Sequence, residues 1–245
     1  MAKRVVGARL YHDKYDISCD TANLKFSLSQ AAVNDTTICH DSVSKIGGLK
    51  SAALEYSGFW EAGTNLIDAT EYAALGTSDN IMTILPAGLS ANGIAYVMQG
   101  AKVAYEWGGS VGDMIGFSAG ALSEGDETLR GNVLASGAKT SSENGLAYEN
   151  GAVSATQSLY GVLILTAVDG SGTQTLNVKI QSDALGTFTD PTDQIAFTQQ
   201  SVPTAIEWAT PVAGPITDTF WRAVVTVALG GASVSFSVVV MMAIV

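Results

Sequence analysis

The stretch KIGGLKSAALEYSGFW, residues 45–60, decides how the chain is read, because a glycine turn opens it and a pair of adjacent aromatics closes it. Within it Ala52, Leu54, Tyr56 and Trp60 fall on one face, while Ser51, Ala53, Glu55 and Ser57 fall on the other. That period of two predicts a half-buried β-strand. Just upstream, residues 32–48 are polar and end in glycine, and a connection of about 17 residues is long for a compact domain. It predicts an arm that reaches away from its own fold.

The chain has 245 residues, enough for one large or two ordinary domains with a sizeable core. Charged residues make up 14% and hydrophobic ones 47%, so the surface must be rich in Ser, Thr, Ala and Gly and suits repeated self-contact. The net charge of −11 leaves no cluster of Lys and Arg with which to grip phosphates, so nucleic acid is expected to be repelled rather than bound. Cys19 and Cys39 are too few for a disulfide scaffold and are expected to stay reduced. The start has no apolar stretch of signal-peptide length. The apolar segment VSFSVVVMMAIV, residues 234–245, is too short to span a bilayer and reads as a buried or interface strand. No membrane insertion is expected.

In chain order, residues 5–10 and 23–31 read as strands that open an antiparallel sheet, with Leu24, Phe26 and Leu28 inward. One helix is predicted in TNLIDATEYAALG, residues 64–76, capped by Thr64 or Asn65 and ended by Gly76. Its apolar stripe is Leu66, Ala69 and Ala73 with Ile67 and Ala74. Residues 81–85 form a strand stopped by Pro86. A long hairpin follows, 94–107 with 111–122, turning tightly at Gly108 and Gly109. The stretch Glu124, Gly125, Asp126 and Glu127 reads as a solvated turn, and 128–135 as a further strand. Residues 139–155 are polar and glycine-rich and are expected to link two domains, 1–138 and 156–245. Beyond them six strands are predicted at 159–168, 175–182, 194–199, 205–210, 219–229 and 233–245, at the spacing of a β-sandwich.

Motifs of chemistry are scarce. Gly116, Phe117, Ser118, Ala119 and Gly120 spell the nucleophile elbow G-x-S-x-G, but that elbow needs a strand, a strained turn and a helix, with its histidine downstream. Here the two histidines, His12 and His40, both precede Ser118. The bland reading is a strand of small residues packed closely on a neighbour. Cys39, His40 and Asp41 with Cys19 and His12 lack zinc-ligand spacing. The acidic turn Asp190, Pro191, Thr192, Asp193 offers at most a weak calcium site. Asn34, Asp35 and Thr36 match a glycosylation acceptor that stays bare without a secretory route. Trp208 and Trp221 belong either to a sandwich core or to a sugar-binding platform. No catalytic residue, metal site or cofactor is expected.

The order strand pair, arm (33–48), strand (49–60), helix (65–75) and long hairpin (94–122) resembles the tail tube, or major tail, protein family of long-tailed bacteriophages. That family is similar to the tube proteins of contractile injection systems. Residues 141–245 resemble the immunoglobulin-like decoration that some members carry. The resemblance implies a mainly β fold: a tail-tube-like sandwich or barrel with one α-helix and a long loop, then a C-terminal antiparallel β-sandwich. It implies a structural virion protein, not an enzyme, whose hexameric rings stack into the conduit for phage DNA and meet other tail proteins. The arm toward the next ring would comprise Val33, Asn34, Asp35, Thr36 and Thr37, then Ile38, Cys39, His40, Asp41 and Lys45. Glu55, Glu106 and Asp113 are the candidate acids facing the lumen, where they would repel phosphate. A capsid decoration or minor tail protein, and a carbohydrate-binding adhesion module, are the alternatives.

Overall fold

The computed structural model describes residues 7–37, 42–43, 45–169, 174–201, 204–228 and 235–245, and of 46–48 and 124–127 the backbone alone. The chain is almost entirely β. Its elements are β1 (Arg9–His12), β2 (Tyr15–Asp16), β3 (Thr21–Asn34), β4 (Lys45–Phe59), α1 (Ile67–Ala74), β5 (Asn80–Leu85), β6 (Ile94–Gly108) and β7 (Gly116–Lys139). There follow β8 (Glu143–Asn144), β9 (Tyr148–Glu149), β10 (Ser158–Asp169), β11 (Thr175–Asp183), β12 (Thr192–Ala196), β13 (Ala205–Trp208), β14 (Val212–Ala213), β15 (Phe220–Ala228) and β16 (Ser235–Ile244). They group into two compact units: one holds residues 17–82 and 97–128, the other 1–16, 83–96 and 129–245. The expected linker, 139–155, contains β8 and β9, which both pair with β15, and the change of unit falls inside β7.

In the first of these units the strand order is β3, β4, β7, β6. Strand β4 behaves as its alternation predicts, with Ala52, Leu54 and Tyr56 buried and Ser51 and Glu55 exposed. It pairs antiparallel with β3 from Thr21↔Gly58 to Asn34↔Lys45, and with β7 from Phe59↔Gly116 to Ala53↔Leu122. A side chain at position 58 would place its Cβ 1.7 Å from the Asp20 carbonyl oxygen, so Gly58 is what lets the chain fold back on β4.

Several expectations are corrected here. Residues 32–48 are not a free loop: β3 continues to Asn34 and β4 starts at Lys45, making the arm the end of a long hairpin. Residues 38–41, and with them Ile38, Cys39, His40 and Asp41, lie outside the described residues. Strand β1 pairs with β2 around Asp13 and Lys14, whereas β3 pairs with β4, so the first two predicted strands do not share a hairpin. The turn between β6 and β7 spans residues 109–115 rather than two glycines. Residues 124–127 run inside β7 as strand, not as a turn.

Helix α1 also departs from expectation. Its N-cap is Leu66, with no side-chain cap, because Asn65 already takes a positive φ of 63° in the turn before it. It buries Ile67, Thr70, Glu71 and Ala74, spaced i, i+3, i+4 and i+7, and leaves Ala69 and Ala73 exposed. The helix thus turns toward the sheet the face that carries a carboxylate.

The second unit contains a sandwich. One sheet runs β13, β10, β16, β7, with β14 on β10; the other runs β12, β11, β15, with β8 and β9 on β15. Strand β11 alternates, burying Leu176, Val178 and Ile180, and β15 answers with Trp221, Ala223 and Val225. Strands β10 and β16 have a neighbour on each side and bury consecutive residues, on both faces, through their middles, which is why both read as nearly continuous apolar runs. The core formed by Leu134, Leu159, Leu163, Phe236, Val240 and their neighbours gains about 1.5–3 kcal/mol for each large apolar side chain fully buried. Gly131 admits the close approach of β16, since a Cβ there would stand 1.9 Å from the Met242 carbonyl oxygen.

Candidate functional site

The candidate lumen-facing acids Glu55, Glu106 and Asp113 all belong to the unit of residues 17–82 and 97–128. Cross-strand partners share a face, so Asn23, Ser57 and Ser118 form one row and Lys25, Glu55 and Gly120 the next. Ser27 with Ala53 and Ser29 with Ser51 continue the pattern. Short bonds tie the rows: Lys25 Nζ donates to Glu55 at 2.9 Å, the Ser29 and Ser51 hydroxyls lie 2.8 Å apart, and Asn23 donates to Ser57 at 3.4 Å. Asn23, Lys25, Glu55, Ser57 and Ser118, with Ala104 and Glu106 of β6, line a shallow open groove of about 490 Å³. The surface sets small residues, Ser57, Ala104, Ser118 and Gly120, beside the charged Lys25, Glu55 and Glu106.

The opposite face is anchored by buried charge. The Glu71 carboxylate pairs with Lys102, and both side chains are shut off from solvent. Tyr56 donates its hydroxyl proton to Glu71 Oε1 at 2.6 Å, and Lys102 Nζ donates to the Tyr56 oxygen at 2.5 Å while lying 4.4 Å from the ring centroid. Burial, reinforced by the Glu71 charge, pushes the Tyr56 phenol well above its ordinary range. Burial pulls the Lys102 ammonium down, against the pull of Glu71 in the other direction. One turn earlier Asp68 accepts from Tyr105 at 2.7 Å and from Trp60 Nε1 at 3.1 Å. Both acids of α1 therefore hold it to the sheet.

The candidate acids are distributed unevenly. Glu55 and Glu106 lie on the same exposed groove, though Glu55 is already paired with Lys25. Asp113 lies apart, in the exposed turn between β6 and β7. Of the arm residues, Val33, Asn34 and Lys45 belong to the hairpin strands, and Asp35, Thr36 and Thr37 continue from its β3 side. Asn34 Oδ1 accepts the Thr36 amide at 3.0 Å. The Glu71, Lys102 and Tyr56 cluster was absent from the sequence reading. Its signal was a single lysine in the otherwise uncharged run from Ile81 to Tyr105, facing a glutamate four residues after Ile67.

The other motifs resolve structurally. Ser118 is exposed near the start of β7, opposite Ser57, and the strand runs on without the elbow's turn and helix. Trp221 is fully buried and donates to the Gly151 carbonyl at 2.9 Å, which removes it from any surface platform. Trp208 packs edge-on against Tyr160. Asp193 accepts from Lys179 at 2.5 Å and from Gln181 at 2.7 Å, bonds that hold its carboxyl below the ordinary carboxylate range. Among the described residues no group of acids, histidines and cysteines could hold a metal ion. Cys19 is a free, exposed thiol. No helix among the described residues is long and apolar enough to cross a membrane.

No protein-family description and no curated protein matches the sequence. Among solved structures, a chain in the virion of a native gene transfer agent particle is similar over 51% of this chain and 96% of its own, at 14% identity and a TM-score of 0.43. A chain in the tail of the empty particle, solved with C6 symmetry, is similar over 44% of this chain and 79% of its own, at 14% identity and a TM-score of 0.37. The SPP1 Dit protein, a hub of the adsorption apparatus in phages that infect Gram-positive bacteria, is similar over 97% of this chain and 99% of its own, at 8% identity and a TM-score of 0.35. At such identity and overlap, what those assemblies do is said of them alone.

Proposed function

We propose that the chain is a structural virion protein of a phage tail, the subunit of the tail tube, and not an enzyme. The observation that carries this reading is strand β3. Among the described residues it pairs with β4 and no other strand, which leaves one edge of a 14-residue strand open beside the face that carries Ser57, Ser118 and Glu55. An open edge of that length is a template for another strand, and a closed ring of copies removes it. In this reading six subunits complete a barrel, and the face bearing Asn23, Ser57, Ser118, Glu55 and Glu106 lines its lumen. Genomic DNA passes through without specific binding. Rings stack through the arm, the sandwich of the C-terminal strands lies outside the lumen as an immunoglobulin-like domain, and further tail proteins cap the tube. Assembly takes place in the host cytoplasm.

Electron microscopy of the purified protein tests this directly: tubes of sixfold rings are expected. Particles that stay monomeric at every concentration and salt would sink the reading. A count of copies per virion separates a tube subunit, present in many tens, from a decoration or minor tail protein.

A further inference from the structure

Helix α1 directs two carboxylates at aromatic donors of the sheet, and a cation matches only one of them. Glu71 accepts from the Tyr56 hydroxyl, and Lys102 completes that set from 4.4 Å over the Tyr56 ring. Asp68, one turn earlier, is arranged the same way: its Oδ1 accepts from Tyr105 at 2.7 Å and from Trp60 Nε1 at 3.1 Å. Its Oδ2 accepts nothing among the described residues and is open to solvent. No Lys or Arg among the described residues pairs with Asp68 or lies over the rings of Trp60, Tyr105 or Trp107. We infer that Asp68, Trp60 and Trp107 form a seat for an arginine side chain presented by a protein partner.

The rings are prepared for a cation. An indole and a phenol that donate to a carboxylate gain electron density on their faces, and a ring face attracts positive charge through its quadrupole. Trp107 stacks on Trp60 with centroids 5.7 Å apart and stays 61% exposed, so its inner face is held and its outer face is open. Trp60 is itself fixed, its amide donating to the Ile115 carbonyl at 2.9 Å. The charge around the seat has one sign. Between Lys50 and Arg130 the sole base is Lys102, already paired with Glu71, whereas the acids include Glu106, Asp113 and Glu61, whose carbonyl accepts the Asp68 amide.

A guanidinium fits better than an ammonium, because it is planar, weakly hydrated, and can stack on an indole while its edge donates to a carboxylate. A protein fits better than a free ion. The turn that follows Trp107 also exposes Val111, Met114 and Ile115, which a small cation would leave bare and the chain carrying the arginine would cover. The seat is built from one copy of the chain and stands apart from the tube reading.

The test places the full-length protein on an array of short peptides with a central arginine, each repeated with citrulline, the uncharged isostere, and with lysine. Dissociation constants for a peptide so selected are then measured by fluorescence anisotropy, with circular dichroism as the check on folding. Binding that requires arginine is expected, weakened about 2- to 30-fold by Trp107→Leu. Asp68→Asn, whose amide oxygen can still accept from Tyr105 and Trp60, should weaken it at least as much; if that variant does not fold, Trp107→Leu at its exposed position carries the test. Glu149→Gln makes the same change of charge at an exposed site in β9 and should leave binding unaltered. The seat is overturned if no peptide distinguishes arginine from citrulline, if lysine peptides bind as tightly, if Trp107→Leu binds as wild type does, or if Glu149→Gln weakens binding as much as Asp68→Asn. Each of these outcomes leaves the tube reading standing, and a protein that never forms rings leaves the seat standing.

Discussion

Lys102 and Glu71 form an ion pair in which neither side chain has any exposure to solvent. Removing one member strands the other charge in a dry interior, which costs about 3–5 kcal/mol. Lys102→Met and Glu71→Gln should each lower the stability measured by urea denaturation by about that much. The double change Lys102→Met with Glu71→Leu, combined with Tyr56→Phe so that no buried hydroxyl loses its partners, should recover most of the loss, because a buried pair is worth little more than well-packed apolar residues. If the combined variant is as unstable as the single ones, the pair contributes something packing cannot replace.

Tyr56 sets the response to alkali. Its folded phenol is raised above the ordinary value of 10.0, so above that pH the unfolded chain gives up a proton that the folded chain keeps. The contribution is complete below pH 10.0 and declines as pH rises toward the folded value. Lys102, whose folded value is lowered, works the other way, its burial cost fading as pH climbs toward 10.5. Unfolding series at pH 8 to 11 should show the stability advantage of wild type over Tyr56→Phe shrinking beyond pH 10.0. A constant difference would mean the phenol titrates alike in both states.

Strand β7 decides where the C-terminal sandwich can be cut. Its pairing with β16 runs from Asn132↔Met242 to Lys139↔Phe236. A fragment of residues 129–245 keeps that strand and should unfold cooperatively. A fragment of residues 139–245 leaves the edge of β16, with Val238, Val239 and Val240, uncovered and should aggregate. Dispersed amide NMR spectra from the shorter fragment would show that β7 is dispensable.

The arm can be removed without touching the core. Deletion of residues 34–45 takes away the end of a hairpin whose remaining pairs run from Ala32↔Gly47 back to Thr21↔Gly58, with Val33 and Ile46 left to make the turn. Thermal unfolding should change little, and ring stacking should be lost. Tubes of normal length from the deleted protein would show that the arm joins nothing.

Much of the architecture is legible locally. The alternation in residues 50–57 fixes which side of β4 is buried, and the apolar runs of β10 and β16 announce central strands. What escaped is long-range. The acids and glycine at 124–127 carry turn chemistry, yet both flanks of β7 are held by partners distant in sequence, and the pairing overrides the local preference. Helix α1 was read from its alanines, but Lys102 draws Glu71 inward and turns Ala69 and Ala73 to solvent. The groove could not be seen before β3, β4, β6 and β7 were placed side by side; of the three acids the sequence assigns to one face, Glu55 and Glu106 line it and Asp113 lies in the turn between β6 and β7.

The 24-residue strand β7 imposes a parity on the evolution of the gene. Successive side chains point to opposite faces, so one codon gained near Ser123 would invert every downstream contact with β16 or every upstream contact with β4. A bulge can absorb a single extra residue, but it bends the strand. β7 already carries one such irregularity, between Val133 and Ala135 opposite Met241 and Val240, so a further change of length that spares both sets of contacts comes two residues at a time.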